Sequence, residues 1–245
     1  MYGIIMYILE GNIGVGKSTI LQLVEKQCSQ ISVIQEPKDN WATQTTGQSL
    51  LGNFYQDPHR WAYTLETLAM ICRVKDHLRE QKNTNLNRIM ERSIYSGHYF
   101  FAMNDYASGY LSSLEWEIYL KWFDFLATKK CNPPLGFIYL HASPDICFKR
   151  IKKRSRAGEE NVSFDYLVKI NNWHENFFIK KEGLPEILQL VPVLSLDCNE
   201  DFFEDPSYVQ QHLIKIESFV QETQGLDYNR NLVEMSGLEP LTPCV

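Results

Sequence analysis

Nine consecutive residues, 11–19, carry the clearest chemistry in this sequence: Gly-Asn-Ile-Gly-Val-Gly-Lys-Ser-Thr. They follow an apolar run at 4–9 and precede a helical pattern at 20–24. A glycine-rich turn between a strand and a helix directs backbone N–H groups, and the positive end of the helix dipole, at an anion. The spacing G-x-x-x-x-G-K-[ST] therefore predicts a phosphate-binding loop. Its members are Gly11, Asn12, Ile13, Gly14, Val15, Gly16, Lys17, Ser18 and Thr19.

Four side chains are expected to bind the phosphate groups or the metal ion that neutralises them. Lys17 is expected to neutralise the outer phosphates, and the Ser18 hydroxyl to hold Mg²⁺. Glu91 ends a third apolar run, from which a carboxylate can reach the same metal ion, and Arg92 follows to clamp a transferred phosphoryl group. The alternative is a buried Glu–Arg pair of structural use.

Glu36 follows the second apolar run, beside the predicted phosphate loop. A carboxylate there can accept the proton of an attacking hydroxyl. Pro37 favours an extended backbone before it, which aims the Glu36 side chain away from any helix. The alternative is a surface glutamate that ends a strand.

A basic run at 149–156 places six cationic side chains in eight positions. On a helix, Arg150 and Arg154 share a face, and Arg156 follows nearby. Guanidinium groups bind phosphate oxygens in bidentate fashion, so the three arginines are predicted to converge on a triphosphate from a mobile lid at about 150–162. A solvated helix face or a nuclear-localisation-like patch is the alternative.

These residues need elements to position them, and the apolar pattern supplies five short runs that alternate with long amphipathic stretches. That layout predicts an α/β fold with a five-stranded parallel sheet and helices on both faces. Ligands bind at the carboxyl ends of such strands, where the residues above lie. The predicted strands are 4–9, 31–35, 86–90, 136–140 and 191–196, and the longest predicted helices are Pro58–Glu80, 112–128 and 164–180.

Composition limits the classes of function. The chain has 245 residues, 44 % of them apolar, and a formal net charge of −6, which disfavours nucleic acid as a partner. Its six cysteines show no metal-ligand spacing and are expected to be reduced thiols of a cytoplasmic protein. The apolar run at 4–9 is too short to span a membrane. One domain at 1–223 and a tail at 224–245 are predicted.

Together the motifs resemble those of the deoxynucleoside kinase family, over nearly the whole chain. The resemblance is carried by 11–19, Glu36-Pro37 with Trp41, Tyr55 before Arg60-Trp61, and the stretches 90–96, 150–160 and 196–202. It implies a P-loop kinase fold with an arginine-rich lid. The implied reaction transfers the γ-phosphoryl group of ATP, or another nucleoside triphosphate, with Mg²⁺, to the 5′-hydroxyl of a deoxynucleoside.

The resemblance also implies roles for individual residues. Glu36 corresponds to the general base for the 5′-hydroxyl, which Arg92 steadies, while Tyr55 and Glu159 hold the 3′-hydroxyl. The implied residues around the acceptor's base are Trp41 and Phe101. Those around the phosphate donor are Arg150, Arg154, Arg156, Asp201 and Phe202.

Three positions bear on which base is accepted. Glu66 stands where the family usually has a glutamine that reads the base, and Arg73 lacks the family's aspartate partner because that position is Gly97. An ionised glutamate only accepts hydrogen bonds, which suits the adjacent donors of guanine. The pocket is expected either to prefer guanine or to tolerate several bases through an Arg73–Glu66 pair.

Two other functions remain open. A nucleoside monophosphate kinase such as thymidylate kinase shares the sheet and the loop, and a catalytically silent accessory subunit could keep the fold. A homodimer is expected through 112–128, which is richer in apolar residues than one buried face requires, unless that helix is wholly buried in the core.

Overall fold

Five parallel strands form a single sheet in the order β2-β3-β1-β4-β5. A computed structural model describes residues 6–36, 49–82, 87–156, 158–202 and 205–224. The sheet confirms the predicted fold class, and each strand overlaps one of the predicted runs. The strands are β1 (Met6–Gly11), β2 (Ile31–Ile34), β3 (Asn87–Glu91), β4 (Gly136–His141) and β5 (Val193–Asp197).

The helices connect these strands and cover both faces of the sheet. The prediction of Pro58–Glu80 is confirmed at both ends, and helices occupy the other two predicted stretches. In the described ranges the helices are α1 (Lys17–Gln27), α2 (Leu50–Gln56), α3 (Pro58–Glu80), α4 (Ile94–Ser96, π-helical Gly97–Ala102, Met103–Ala107), α5 (Ser113–Phe123 and π-helical Asp124–Thr128), α6 (Pro144–Arg154), α7 (Phe164–Glu175 and π-helical Asn176–Lys180), α8 (Glu186–Gln189) and α9 (Pro206–Thr223).

Local sequence explains where several helices begin. The Asp57 side chain accepts a hydrogen bond from the Arg60 backbone N–H, and Pro58 takes the first helical position of α3. Ser112 and Glu115 form a reciprocal capping box at the start of α5. These caps satisfy N–H groups that a helix leaves without internal partners.

The core lies on both faces of the sheet because the central strands are buried on both sides. Leu9 and Ile138 face α1, α6 and α9, whereas Ile8 and Phe137 face α3, α4, α5 and α7. Successive side chains of a strand point to opposite faces, so each strand contributes to both layers. This packing fixes the carboxyl ends of β1, β2 and β3 side by side.

Two predictions from the sequence concern the oxidation state of the cysteines and the ability to span a membrane. None of the five cysteines in the described ranges is disulfide-bonded, and four of these five are buried. Within those ranges, no helix is both long enough and apolar enough to cross a bilayer.

A test of the packing is available where β4 meets α9. A Cβ added to Gly136 would lie 2.6 Å from the Phe219 ring and 3.2 Å from the Tyr7 ring. We expect Gly136→Ala to lower the free energy of unfolding by about 1–3 kcal/mol through overpacking, measured by urea denaturation. Combined with Phe219→Leu, which makes room, the alanine should cost clearly less. Equal costs in both backgrounds would contradict this packing.

Candidate active site

The turn between β1 and α1 has the backbone of an anion-binding loop. Gly14 and Gly16 have φ values of 82° and 112°, and a Cβ at Gly14 would lie 2.5 Å from the carbonyl oxygen of Cys147. Only glycine adopts such a backbone without strain. Among the described residues no side chain caps α1, and its first turn contains no acidic residue. The N-terminal N–H groups of α1 can therefore face a phosphate.

Side chains of the loop divide into those that shape it and those that face the cavity. Asn12 donates from Nδ2 to the carbonyl oxygen of Leu167 at 3.0 Å, and Val15 is fully buried. Lys17 donates from Nζ to the backbone oxygens of Gly11 and Asn12 at 3.0 and 2.8 Å. The predicted loop residues that line the cavity are Ile13, Gly14, Gly16, Lys17, Ser18 and Thr19.

The predicted metal-binding side chains lie together. Ser18 Oγ donates to the Glu91 carboxylate, with distances of 3.3 and 3.4 Å to its two oxygens. The atoms that Ser18 and Glu91 could offer to a metal ion are oxygens, and Mg²⁺ prefers oxygen ligands. The described residues contain no cluster of three or more His, Cys, Asp or Glu side chains suited to a metal ion. This small donor set fits a magnesium ion held mainly by substrate phosphates and water.

Glu36 lies between two arginines. Its Oε1 accepts hydrogen bonds from Nη2 and Nε of Arg73 at 2.8 and 3.3 Å. Its Oε2 lies 3.6 Å from Nε of Arg92. The side chains of Glu36, Arg73 and Arg92 are only 7 %, 10 % and 5 % exposed. The guanidinium charges stabilise the ionised carboxylate that a general base requires.

Glu10 belongs to the same charged group and was not identified from the sequence. It is 1 % exposed, its Oε1 accepts from Ser93 Oγ at 2.9 Å, and its Oε2 lies 3.6 Å from Nη1 of Arg92. Burial raises the pKa of Glu10, although Arg92 opposes this shift. The sequence does contain a signal for Glu10, because it is an acidic residue at the end of an otherwise apolar strand.

Arg92 is held in an unusual backbone conformation. Its φ is 64°, in the left-handed region, and its backbone N–H donates to the carbonyl oxygen of Leu9 at 3.0 Å. Its guanidinium carbon lies 4.7 Å from the centre of the Phe101 ring. Such backbone strain persists where surrounding contacts fix the residue, and it concentrates at functional sites.

Aromatic side chains line part of the cavity, together with residues predicted to hold the acceptor. Tyr55 and Glu159 both line it, and burial followed by the Glu159 charge raises the pKa of Tyr55. Tyr166, which sequence reasoning missed, packs edge-on against Tyr55 with ring centres 5.9 Å apart. Trp41 lies outside the described residues.

Among the described residues, Arg73 forms its ion pair with Glu36 rather than with Glu66. The hydrogen bonds described for Arg73 go to Glu36, and Glu66 feels Arg73 through charge. The reason lies in the tertiary structure, which brings the end of β2 against α3. Gly97 allows this placement, because a Cβ there would lie 2.8 Å from Nη1 of Arg73.

Two of the three predicted lid arginines face the cavity. Arg154 and Arg156 line it, and both contact Glu159, with Nη1 of Arg156 3.5 Å from Oε1. Convergence of all three arginines is not observed. Arg150 donates to the backbone oxygens of Val15, Cys198 and Glu200 at 3.1, 2.7 and 2.6 Å, so it joins the phosphate loop to the segment after β5.

The other two residues predicted to bind the phosphate donor, Asp201 and Phe202, are not among the residues that line the main cavity. Asp201 lines a second cavity together with Arg150. Phe202 is 6 % exposed, and its Cε2 would lie 2.8 Å from a Cβ added at Gly16. Phe202 thus supports the phosphate loop from outside the main cavity.

One cavity of about 150 Å³ joins most of these groups. The phosphate loop lines this cavity together with several apolar and aromatic side chains. Its lining also includes three glutamates and two arginines at the carboxyl ends of β2 and β3 and on α3. Its further lining residues are Glu36, Leu51, Phe54, Tyr55, Leu65, Glu66, Ala69, Arg73, Glu91, Arg92, Phe101, Arg154, Arg156, Glu159 and Tyr166.

The sequence is similar to those of known proteins over most of its length. The family model described as deoxynucleoside kinase matches residues 7–221. Deoxycytidine kinase 2 of Gallus gallus is 35 % identical, over 86 % of this chain and 89 % of its own. A probable deoxycytidine kinase of Fowlpox virus is 36 % identical over 87 % of each chain, and the mitochondrial deoxyguanosine kinase of Xenopus laevis is 34 % identical over 86 % of this chain and 88 % of its own. The chain therefore belongs to the deoxynucleoside kinase family.

Proposed function

We propose that this protein transfers the γ-phosphoryl group of ATP, or another nucleoside triphosphate, to the 5′-hydroxyl of a deoxynucleoside. The observation that supports this most is the position of Glu36, at 2.8 Å from Arg73 and 3.6 Å from Arg92, in the same cavity as the phosphate loop. A carboxylate beside a phosphate site can orient and deprotonate an acceptor hydroxyl. The relatives named deoxycytidine and deoxyguanosine kinase support the same assignment.

The residues of the site would act mainly by positioning and by charge. The N–H groups of the loop and Lys17 bind the donor phosphates, and Arg154 and Arg156 approach from the lid. Glu36 accepts the proton of the acceptor hydroxyl as the new bond forms. Arg92, adjacent to Glu36, stabilises the charge of the phosphoryl group in transfer.

A magnesium ion fits the donor set of Ser18 and Glu91. It would supply neutralisation of phosphate charge when it is bound with the donor nucleotide. Tyr55 and Glu159 are proposed to orient the acceptor's sugar, and Phe101 to stack against its base. Asp201 and Arg150, at the second cavity, are proposed to lie near the donor nucleotide.

The acceptor end favours a nucleoside over a nucleoside monophosphate. A second phosphate in that pocket would need cationic partners. In the described cavity lining, Arg73 and Arg92 pair with Glu36, and Arg154 and Arg156 contact Glu159. Their positive charges are therefore already balanced by carboxylates before any acceptor enters.

We further propose a homodimer through α5. Leu114, Ile118, Trp122 and Phe125 form one exposed stripe at helical spacing, with Leu114 67 % and Trp122 48 % exposed. The helix is thus not wholly buried in the core, and an apolar stripe of this kind is typical of a subunit interface. A single domain at 1–223 and a cytoplasmic location remain predictions.

The role of Glu36 can be tested with Glu36→Gln. We expect kcat to fall by about 10²–10⁴-fold, because the base is lost, while the Kd for ATP changes little. Glutamine is preferred to alanine since it retains an acceptor for the two arginines. Steady-state kinetics and equilibrium ATP binding measure the two effects. Near-normal turnover in a folded variant would assign the base to another residue.

Acceptor class is tested by kcat/KM with Mg·ATP for the four deoxynucleosides, the matching ribonucleosides and thymidine monophosphate. We expect turnover of deoxynucleosides and none of the monophosphate. Reaction of the monophosphate alone would replace the proposal with a nucleoside monophosphate kinase. ATP binding without any turnover would favour a silent accessory subunit.

The dimer proposal is tested with Ile118→Glu combined with Trp122→Glu. Two charges within the apolar stripe should convert a dimer to a monomer, measured by size-exclusion chromatography with light scattering. Ile214→Glu, at an exposed apolar position on α9, is the matched control and should leave the dimer intact. A monomeric wild-type protein would refute the proposal.

A further inference from the structure

Glu66 is a buried carboxyl group in the wall of the cavity. It lies on α3, it is 4 % exposed, and it lines the cavity beside Phe101 and Ala69. Its Oε2 has no hydrogen-bond partner among the described residues. A buried polar atom without a partner is costly, so this oxygen is suited to a hydrogen bond with a ligand.

The cationic groups nearest to Glu66 bind another carboxylate. Arg73 donates twice to Glu36, and Arg92 lies 3.6 Å from both Glu36 and Glu10. Three buried carboxyl groups, Glu10, Glu36 and Glu66, thus share two guanidinium groups. Because an unpaired buried charge is strongly disfavoured, one of these carboxyl groups is expected to carry a proton.

The other elements around Glu66 present acidic or neutral groups. Asp105 of α4 is fully buried, and its Oδ2 also lacks a partner among the described residues. The hydroxyls of Tyr55, Tyr119 and Tyr166, from α2, α5 and α7, lie within electrostatic range of Glu66. Burial raises the pKa of Asp105, and the positive charge of Lys169 on α7 opposes this shift.

Burial dominates the ionisation of Glu66. It raises the pKa to about 7, the nearby charge of Glu36 adds to this, and Arg73 and Arg92 oppose it. A carboxyl group with a raised pKa is neutral below that value and becomes ionised as the pH rises through it. Glu66 therefore changes its charge near neutral pH.

We propose that Glu66 selects the acceptor's base by its protonation state, as a neutral carboxylic acid for bases with an adjacent donor and acceptor, and as a carboxylate for bases with two adjacent donors. The inference rests on the proposed function and specifies the specificity of that site. Neutral Glu66 has one O–H donor and one C=O acceptor, as an amide has, whereas ionised Glu66 only accepts. The pairing edge of cytosine offers an amino donor beside a ring-nitrogen acceptor, and that of guanine offers two N–H donors.

The test is the ratio of kcat/KM for deoxycytidine to that for deoxyguanosine, measured from pH 6 to 8.5. Groups that act equally on both acceptors, including Glu36 and the donor site, cancel in this ratio. We expect the ratio to fall by at least about tenfold as Glu66 ionises. In Glu66→Gln it should stay constant with pH. Asp76→Asn, a carboxyl-to-amide change on the same helix but outside the cavity lining, should behave like the wild type.

A second measurement does not depend on catalysis. Calorimetric titration of deoxycytidine at pH 8, in buffers of different ionisation enthalpy, should show net proton uptake by the wild type and none by Glu66→Gln. It decides the question in the wild type even when the variant fails to fold. Uptake without turnover would support the Glu66 assignment while removing the proposed reaction.

Three results would overturn the inference. They are a pH-independent ratio in the wild type, the same pH dependence in Glu66→Gln, and binding of deoxycytidine without proton uptake. Turnover of both nucleosides with any of these results would leave the proposed kinase activity standing and remove only the role of Glu66.

Discussion

The site depends on one buried carboxylate held between two guanidinium groups. Glu36, at the end of β2, contacts Arg73 on α3 and Arg92 after β3. Buried ions are tolerated only when they are paired, and removal of one partner leaves an uncompensated charge. The arrangement therefore requires the ends of β2 and β3 to meet α3, which fixes one wall of the cavity. The same contacts keep the proposed base and the proposed phosphoryl-stabilising arginine adjacent.

This charged group extends in both directions, and its charge balance connects the proposed base with the proposed selection of the acceptor's base. Glu10 lies behind Arg92 and contacts its guanidinium at 3.6 Å, which braces a residue whose φ is 64°. On the other side, Gly97 leaves room for Arg73 to reach Glu36. Among the described residues Glu66 consequently has no cation of its own, and burial has the largest effect on its protonation. A change at one of these residues is expected to be felt by the others, because they share charge in a low-dielectric environment.

The phosphate loop is stabilised by contacts that do not touch the cavity. Asn12 joins it to α7, Phe202 packs behind Gly16, and Arg150 ties Val15 to the segment after β5. These contacts hold N–H groups in a backbone that would not persist alone. Preorganised donors of this kind stabilise developing charge without reorganisation during the reaction. Arg150, predicted as a phosphate ligand, connects the loop to the segment after β5 through hydrogen bonds to backbone oxygens.

The sequence by itself determined the features that depend on neighbouring residues. Strand runs, the caps of α3 and α5, and the loop at 11–19 follow from local periodicity, hydrogen bonding and glycine geometry. It also placed Glu36, Glu91 and Arg92 at one edge, because parallel strands align their carboxyl ends. Only the tertiary structure decided which arginine pairs with Glu36, that Glu10 contacts Arg92, and that Arg150 donates to backbone oxygens beside the phosphate loop. Those choices depend on distances between elements far apart in the chain, which spacing in sequence does not specify.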